Sequence, residues 1–218
     1  MPEIFSYNID VKRFRVVFAA LCLSAALSGA FAEGEMYWSF KPGAGFTAWK
    51  QEIDAPLGGS LATALGWRAK AGYATLRSDF EVAGYFFMTR KSEEEAFKYE
   101  KEYNYLQLAG SYMVNFYIDF FEKSRTRPYM GLGYGIMRIH HQGDFREKTR
   151  PAFGRPVEES YEVGGTYSAF VKMPKIGIIS DTPTDGLKTD FSLEFARPNV
   201  NGDNLFMFNA RLGIHRVF

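Results

Sequence analysis

One cysteine in 218 residues, Cys22, leaves no partner for an intramolecular disulfide and no set of thiolates for a metal centre. Histidine is almost as scarce, with His140, His141 and His215 alone. Neither sign of charge dominates: 26 basic side chains stand against 25 acidic ones, so the basic surface that nucleic-acid binding requires is missing. No apolar run reaches the roughly 20 residues of a membrane-spanning helix. What the chain has in quantity is 21 Phe, 13 Tyr and 21 Gly, a composition of strands and tight turns.

The first residues read as an address. Lys12, Arg13 and Arg15 precede an apolar stretch from Val16 to Leu27 that only Ser24 interrupts, and Ala30-Phe31-Ala32 follows with small residues for a peptidase. This is the order of a secretory signal, and residues 1–32 are expected to be removed after Ala32. Leu21, just before Cys22, occupies the place where bacterial lipid attachment needs a small residue. The remaining domain, 33–218, holds 23 charges of each sign and no cysteine.

That domain alternates with period two, as strands do when their faces meet different surroundings. Trp38, Phe40, Pro42, Ala44, Phe46 and Ala48 oppose Tyr37, Ser39, Lys41, Gly43, Gly45 and Thr47. Seven further segments follow, with greasy rows at Leu61 to Ala69, Leu76 to Met88, Leu106 to Phe116, Met130 to Ile136, Leu187 to Phe195 and Phe206 to Phe218. The sixth segment, Thr166 to Ile179, is blurred, and Pro174 inside it suggests a bulge. Each run matches the ~9–11 residues of a tilted transmembrane strand.

The polar faces choose between a soluble sheet and a membrane barrel. Charges of both signs recur inside the strands, and lipid would penalise each by several kcal/mol, whereas a narrow lumen can pair them. The expected inward network comprises Lys41, Arg68, Lys70, Arg77, Lys188 and Arg211 against Asp79, Glu81, Asp190 and Glu194. Tyr85, Tyr105 and Gln107 are expected to satisfy leftover groups. Glycines at 131, 133 and 135 would leave room for larger side chains opposite. Eight strands enclose an interior that side chains just fill, so general diffusion is not expected; a gated ion path is the competing idea. Connections at Gly72 to Thr75, Asp119 to Thr126 and Ser180 to Gly186 are short, while Arg90 to Glu102 and His141 to Gly165 read as long external loops. Trp38, Trp49, Trp67, Tyr73, Tyr112 and Phe218 are the expected interfacial aromatics.

Eight alternating segments after an export signal, the strand Pro128-Tyr129-Met130-Gly131-Leu132-Gly133-Tyr134-Gly135 and the ending Leu212-Gly213-Ile214-His215-Arg216-Val217-Phe218 resemble the small bacterial outer-membrane β-barrel family over residues 36–218. The resemblance implies a closed, antiparallel, up-and-down transmembrane β-barrel of about eight strands. It also implies recognition of Ile214 and Phe218 by the barrel-assembly machinery, and contact with outer-membrane lipid and lipopolysaccharide.

The chemistry-bearing residues are weighed against duller roles. His140 and His141 sit far from His215 along the strands, so one shared metal is not expected, and rim or solvated positions are. Glu93, Glu94 and Glu95 offer hard oxygens, yet Lys91, Lys98 and Lys101 balance them as a solvated loop would. Lipid A deacylases carry a His-x-Ser element on a strand, but here Gln142 follows His140 and Gly143 follows His141, leaving Ser160 or Ser168 without a pattern. Arg146, Lys148, Arg150 and Arg155, interleaved with Phe145 and Phe153, form a basic stretch suited to lipopolysaccharide phosphates or an external partner. The expected protein is non-enzymatic, without cofactor or metal, and displays loops; a lipid-modifying enzyme and a soluble periplasmic ligand-binding barrel are the alternatives. Mass spectrometry of the exported protein should find Glu33 at its amino terminus, and a retained leader would contradict this reading.

Overall fold

The computed structural model describes residues 34–48, 56–95, 99–149, 157–200 and 203–218. The leader 1–32, Trp49, Lys98, Arg150, Phe153 and Arg155 lie outside the described residues, as do the side chains of Lys91, Glu93, Glu94, Glu95 and Lys101.

Alternation builds long strands, and the strands close. The elements are β1 (Glu35–Ala48), β2 (Leu57–Ala71), β3 (Ala74–Glu95), β4 (Tyr99–Phe120), β5 (Thr126–Thr149), β6 (Val157–Asp181), β7 (Leu187–Ala196), β8 (Asn199–Val200), β9 (Asp203–Asn204) and β10 (Phe206–Val217). Eight form a closed antiparallel barrel in the order β1-β10-β7-β6-β5-β4-β3-β2, and β8 with β9 makes a separate two-stranded hairpin. First and last strands meet directly, from Tyr37↔Val217 to Ala48↔Phe206, so no strand edge is left at the seam. The Phe218 amide adds a bond to the Met36 carbonyl at 3.0 Å.

Every second side chain points out, and the outside is apolar. Leu61, Leu65, Phe80, Phe86, Leu108, Met130, Ile176, Phe191 and Leu212 are exposed, Leu212 by 64%. The inner face is buried and carries nearly all of the ionic side chains that are buried at all. A soluble barrel with its greasy faces turned inward is the opposite arrangement. The aromatics Trp38, Trp67, Tyr73, Tyr112 and Phe218 all lie on the exposed side.

The two ends of the barrel differ. The start of β1, the end of β10 and the turns after β2, β4 and β6 share one end, here the terminal end; positive φ at Gly72 (65°) and Gly186 (69°) makes two of those turns tight. At the opposite, loop end, β3, β4, β5 and β6 run 22 to 25 residues, against 10 to 15 for the other four. The stretches read from sequence as long loops are thus largely strand: β3 pairs with β4 through Glu95↔Tyr99, and β5 with β6 through Thr149↔Val157. Cross-strand complementarity explains the extension, since Glu102 stands opposite Arg146 and the rings of Tyr103 and Phe145 stack at 5.9 Å.

The expected bulge in the sixth segment is also absent from the β5–β6 ladder, which pairs one to one from Thr126↔Ser180 to Thr149↔Val157 with Pro174 opposite Leu132. Pro174 instead marks the place where pairing with β7 stops, at Lys175↔Glu194. A residue without an N–H is tolerated at the start of a free edge.

Inside, the β5 glycines make space as their spacing suggested. A Cβ on Gly133 would come within 3.1 Å of the Met113 methyl, and one on Gly131 would overlap the Tyr117 ring. Gly131→Val should therefore lower unfolding stability in detergent by about 1–3 kcal/mol. Adding Tyr117→Ala should recover only part of this, because the Phe116 carbonyl oxygen would still lie 2.9 Å from the new Cβ.

Candidate functional site

Among the described residues, the side chains that fill the lumen stack in four layers. At mid-height, β3, β6, β7 and β10 each contribute one charge. Lys175 Nζ lies 2.9 Å from Glu81 Oε2 and 3.3 Å from Glu194 Oε1, and Arg211 Nη1 lies 3.0 Å from Glu81 Oε1 and 3.1 Å from Glu194 Oε2. All four side chains are fully buried. Arg211 also donates to the Tyr85 hydroxyl at 2.9 Å and to Ser60 at 3.3 Å, so that four of its five N–H donors are engaged.

Towards the terminal end lies a second ionic layer. Asp190 forms an ion pair with Lys41 Nζ at 2.9 Å, lies 2.7 Å from His215 Nε2 and accepts from the Tyr129 hydroxyl at 2.8 Å. Asp79 accepts from the Tyr37 hydroxyl and from Asn115 Nδ2, each at 2.7 Å. Arg77 donates from Nε to Asp119 at 2.8 Å, and its guanidinium sits 4.5 Å and 4.7 Å from the ring centres of Tyr117 and Tyr129. Rings that stack on a guanidinium shield it from water and hold its plane.

Towards the loop end the filling is apolar: Phe87, Met113, Met137, Ile139, Val171, Met173, Leu205 and Met207 form one buried cluster. Sequence reasoning had no signal for this plug, because a methionine in a polar row reads as an exception rather than a layer. Beyond it Tyr105, His141 and Tyr167 meet edge to face or tilted, with centroids 6.0 Å and 5.3 Å apart around the imidazole. The outward residues of β5 turn polar at Arg138, so His141 lies past the apolar band. Burial, with help from His140, holds His141 below its ordinary pKa and so neutral at neutral pH.

The structure brings Lys41, Arg77, Asp79, Glu81, Asp190, Glu194 and Arg211 into the sealed interior. Arg68, Lys70 and Lys188 belong to the same face but stand at the terminal rim, where Arg68 pairs with Glu35, Lys70 lies 3.4 Å from Glu122 and Lys188 pairs with Asp181. Burial would raise the Asp181 pKa, but the hydrogen bond from Lys188 and the charge of Arg127 hold it below the usual carboxylate value. Lys175, Asp119 and His215 complete the network and were not predicted to. Lys175 was hidden in the blurred segment beside Pro174, and His215, expected at a solvated rim, is 1% exposed because Tyr37 stacks on it at 5.3 Å and Asp190 bonds it.

On the outer wall, Ile214 and Phe218 are exposed. Arg146 is exposed and Lys148 half-buried on the extended part of β5. His140 Nδ1 lies 2.9 Å from Thr166 Oγ1, an imidazole–hydroxyl pair to which no carboxylate is hydrogen-bonded among the described residues. Ser160 and Ser168 stand opposite Arg146 and Arg138, not opposite a histidine.

No protein-family model matches the chain, and no curated protein is similar to it in sequence. Its fold does have known counterparts. Neisserial surface protein A is similar over 84% of this chain and 97% of its own, with a TM-score of 0.51 at 12% identity. A major outer membrane protein of Thermus thermophilus aligns over 84% and 99%, with a TM-score of 0.43 at 12% identity. The attachment invasion locus protein of Yersinia pestis aligns over 85% and 99%, with a TM-score of 0.35 at 16% identity. The first of these shows the fold to be that of a small outer-membrane β-barrel.

Arg211→Met would leave two buried carboxylates facing Lys175 alone. Urea unfolding in detergent should register a loss of about 3–5 kcal/mol. Removing the facing charge as well, in Glu81→Gln/Arg211→Met, should cost less than the sum of the single changes.

Proposed function

We propose that this chain is a non-enzymatic integral protein of the bacterial outer membrane, a closed anchor that carries a projecting four-stranded sheet at the cell surface. One observation carries the reading: the barrel is inside-out, with an exposed apolar wall around a sealed, charge-paired interior. Water would leave that wall uncovered, and lipid covers it. The leader supplies the export route, and the exposed Ile214 and Phe218 on the last strand offer the feature that assembly machinery reads.

The sealed layers favour anchoring over transport. Among the described residues, five buried cations, Lys41, Arg77, Arg127, Lys175 and Arg211, stand with five buried carboxylates, Asp79, Glu81, Asp119, Asp190 and Glu194, so the lumen has no charge preference to offer a permeant ion. The methionine-rich plug blocks the same axis. On the outer wall, the His140–Thr166 pair has the first two parts of a nucleophilic triad without an acidic partner among the described residues, which favours display over lipid hydrolysis. In this orientation the terminal end faces the periplasm, and the extended parts of β3 to β6, with Arg146 and Lys148, face outward to lipopolysaccharide or an external partner.

Fractionated envelopes should hold the protein in the outer membrane. An unboiled sample should migrate differently from a boiled one on a detergent gel, and planar bilayers containing it should stay electrically silent. A soluble band without a heat shift would overturn the reading, and steady conductance would overturn the sealed anchor.

A further inference from the structure

The wall has a split that anchoring does not require. Between β6 and β7 the ladder runs from Asp181↔Lys188 to Lys175↔Glu194 and ends there, although β7 continues on β10 to Ala196↔Met207 and β6 continues on β5 to Val157↔Thr149. Where the two strands part, a crevice of about 360 Å³ opens, lined by Lys172, Pro174, Phe195, Ala196, Arg197 and Phe206. Met173, Leu205 and Met207, chain neighbours of the lining residues, are buried in the apolar plug, as is Ala196 of the lining itself. The crevice is therefore blind and opens to the outside of the barrel rather than into the lumen.

Its height follows from its chemistry. Strands that part free backbone groups from their ladder, and hydrocarbon offers such groups no partner, so the split belongs at headgroup level. The side chains agree. Along β6 the outward residues run Ile178, Ile176, Pro174 and then Lys172; along β7 they run Phe191, Leu193, Phe195 and then Arg197. On both sides the first cation past the apolar band stands at the lip of the crevice, and no acidic residue among the described ones lines it. Lys172 and Arg197 are exposed, as is Phe206, while Phe195 is half-buried below them.

We propose that this crevice binds a phosphorylated, acylated glycolipid of the outer leaflet, lipid A in chemical class, with a phosphate held by Lys172 and Arg197 and an acyl chain laid on Pro174, Phe195 and Phe206. The fit is one of charge and shape. A guanidinium and an ammonium offer a phosphate directed donors and a point charge, and the aromatic floor takes the chain that a free phosphate would lack. The proposal rests on the outer-membrane reading above.

The test uses the exported protein refolded in detergent, with folding checked by the heat-shifted band, and native mass spectrometry against lipid A, dephosphorylated lipid A and phosphatidylglycerol. The protein should retain lipid A in preference to both others. K172Q/R197Q should weaken retention about tenfold or more, an effect of ~1.4 kcal/mol. F206A should weaken it severalfold, and K123Q, in an exposed turn at the other end, should leave it unchanged. Should the double variant fail to shift on the gel, K172Q and R197Q singly are each expected to reduce retention severalfold. Equal retention of lipid A by folded variants and the unaltered protein would overturn the proposal. So would equal retention of dephosphorylated lipid A, or of phosphatidylglycerol, by the unaltered protein. A protein without any heat-shifted form would overturn the barrel reading itself.

Discussion

Two carboxylates and two cations at the centre of the lumen join strands that are far apart in the chain. Glu81 on β3 and Lys175 on β6 are separated by 94 residues and meet at 2.9 Å; Arg211 on β10 then bridges Glu81 and Glu194. Ions taken out of water are costly, and they are tolerated only when each finds its opposite at close range. That constraint fixes which strands face one another across the interior. The layers above and below are arranged around it: tyrosines that shield Arg77 on one side, methionines and aliphatic chains that exclude water on the other.

From this centre the inside-out character follows. The interior is filled by paired charge and by a methionine-rich plug, and most of the remaining large apolar residues of the strands stand on the outer wall. Strand alternation writes that division into the sequence, which is why the two faces of β1, β2, β3, β7 and β10 can be assigned residue by residue from the pattern alone. The polar face of β5 is read as easily, because three glycines in alternate positions can only mark the crowded side.

What resisted reading had physical causes. The extended parts of β3 to β6 rise beyond the apolar band, where the outward residues turn polar and alternation loses its contrast, so strand looks like loop. The blurred sixth segment concealed Lys175, although that residue holds the centre. The ionic partners themselves are decided by closure of the barrel, which sets Lys41 beside Asp190 and Arg77 beside Asp119, and no local pattern encodes a contact across 42 or more residues. His215 illustrates the same point: an imidazole three residues from the end looks solvated until the ring of Tyr37 is stacked on it.

The distribution of charge along the chain also sets an order in time. Glu81, Lys175 and Glu194 are all synthesised before Arg211, and Asp190 is made before His215, so the last dozen residues bring the cation that balances the centre. Until β10 arrives, β1 has no neighbour on its open side, and two carboxylates share one lysine. A chain cut short before its final strand thus ends with an unbalanced interior as well as an open seam. Closure of the seam and completion of the electrostatics are one event, and a product without β10 is marked as defective by the charges it already carries.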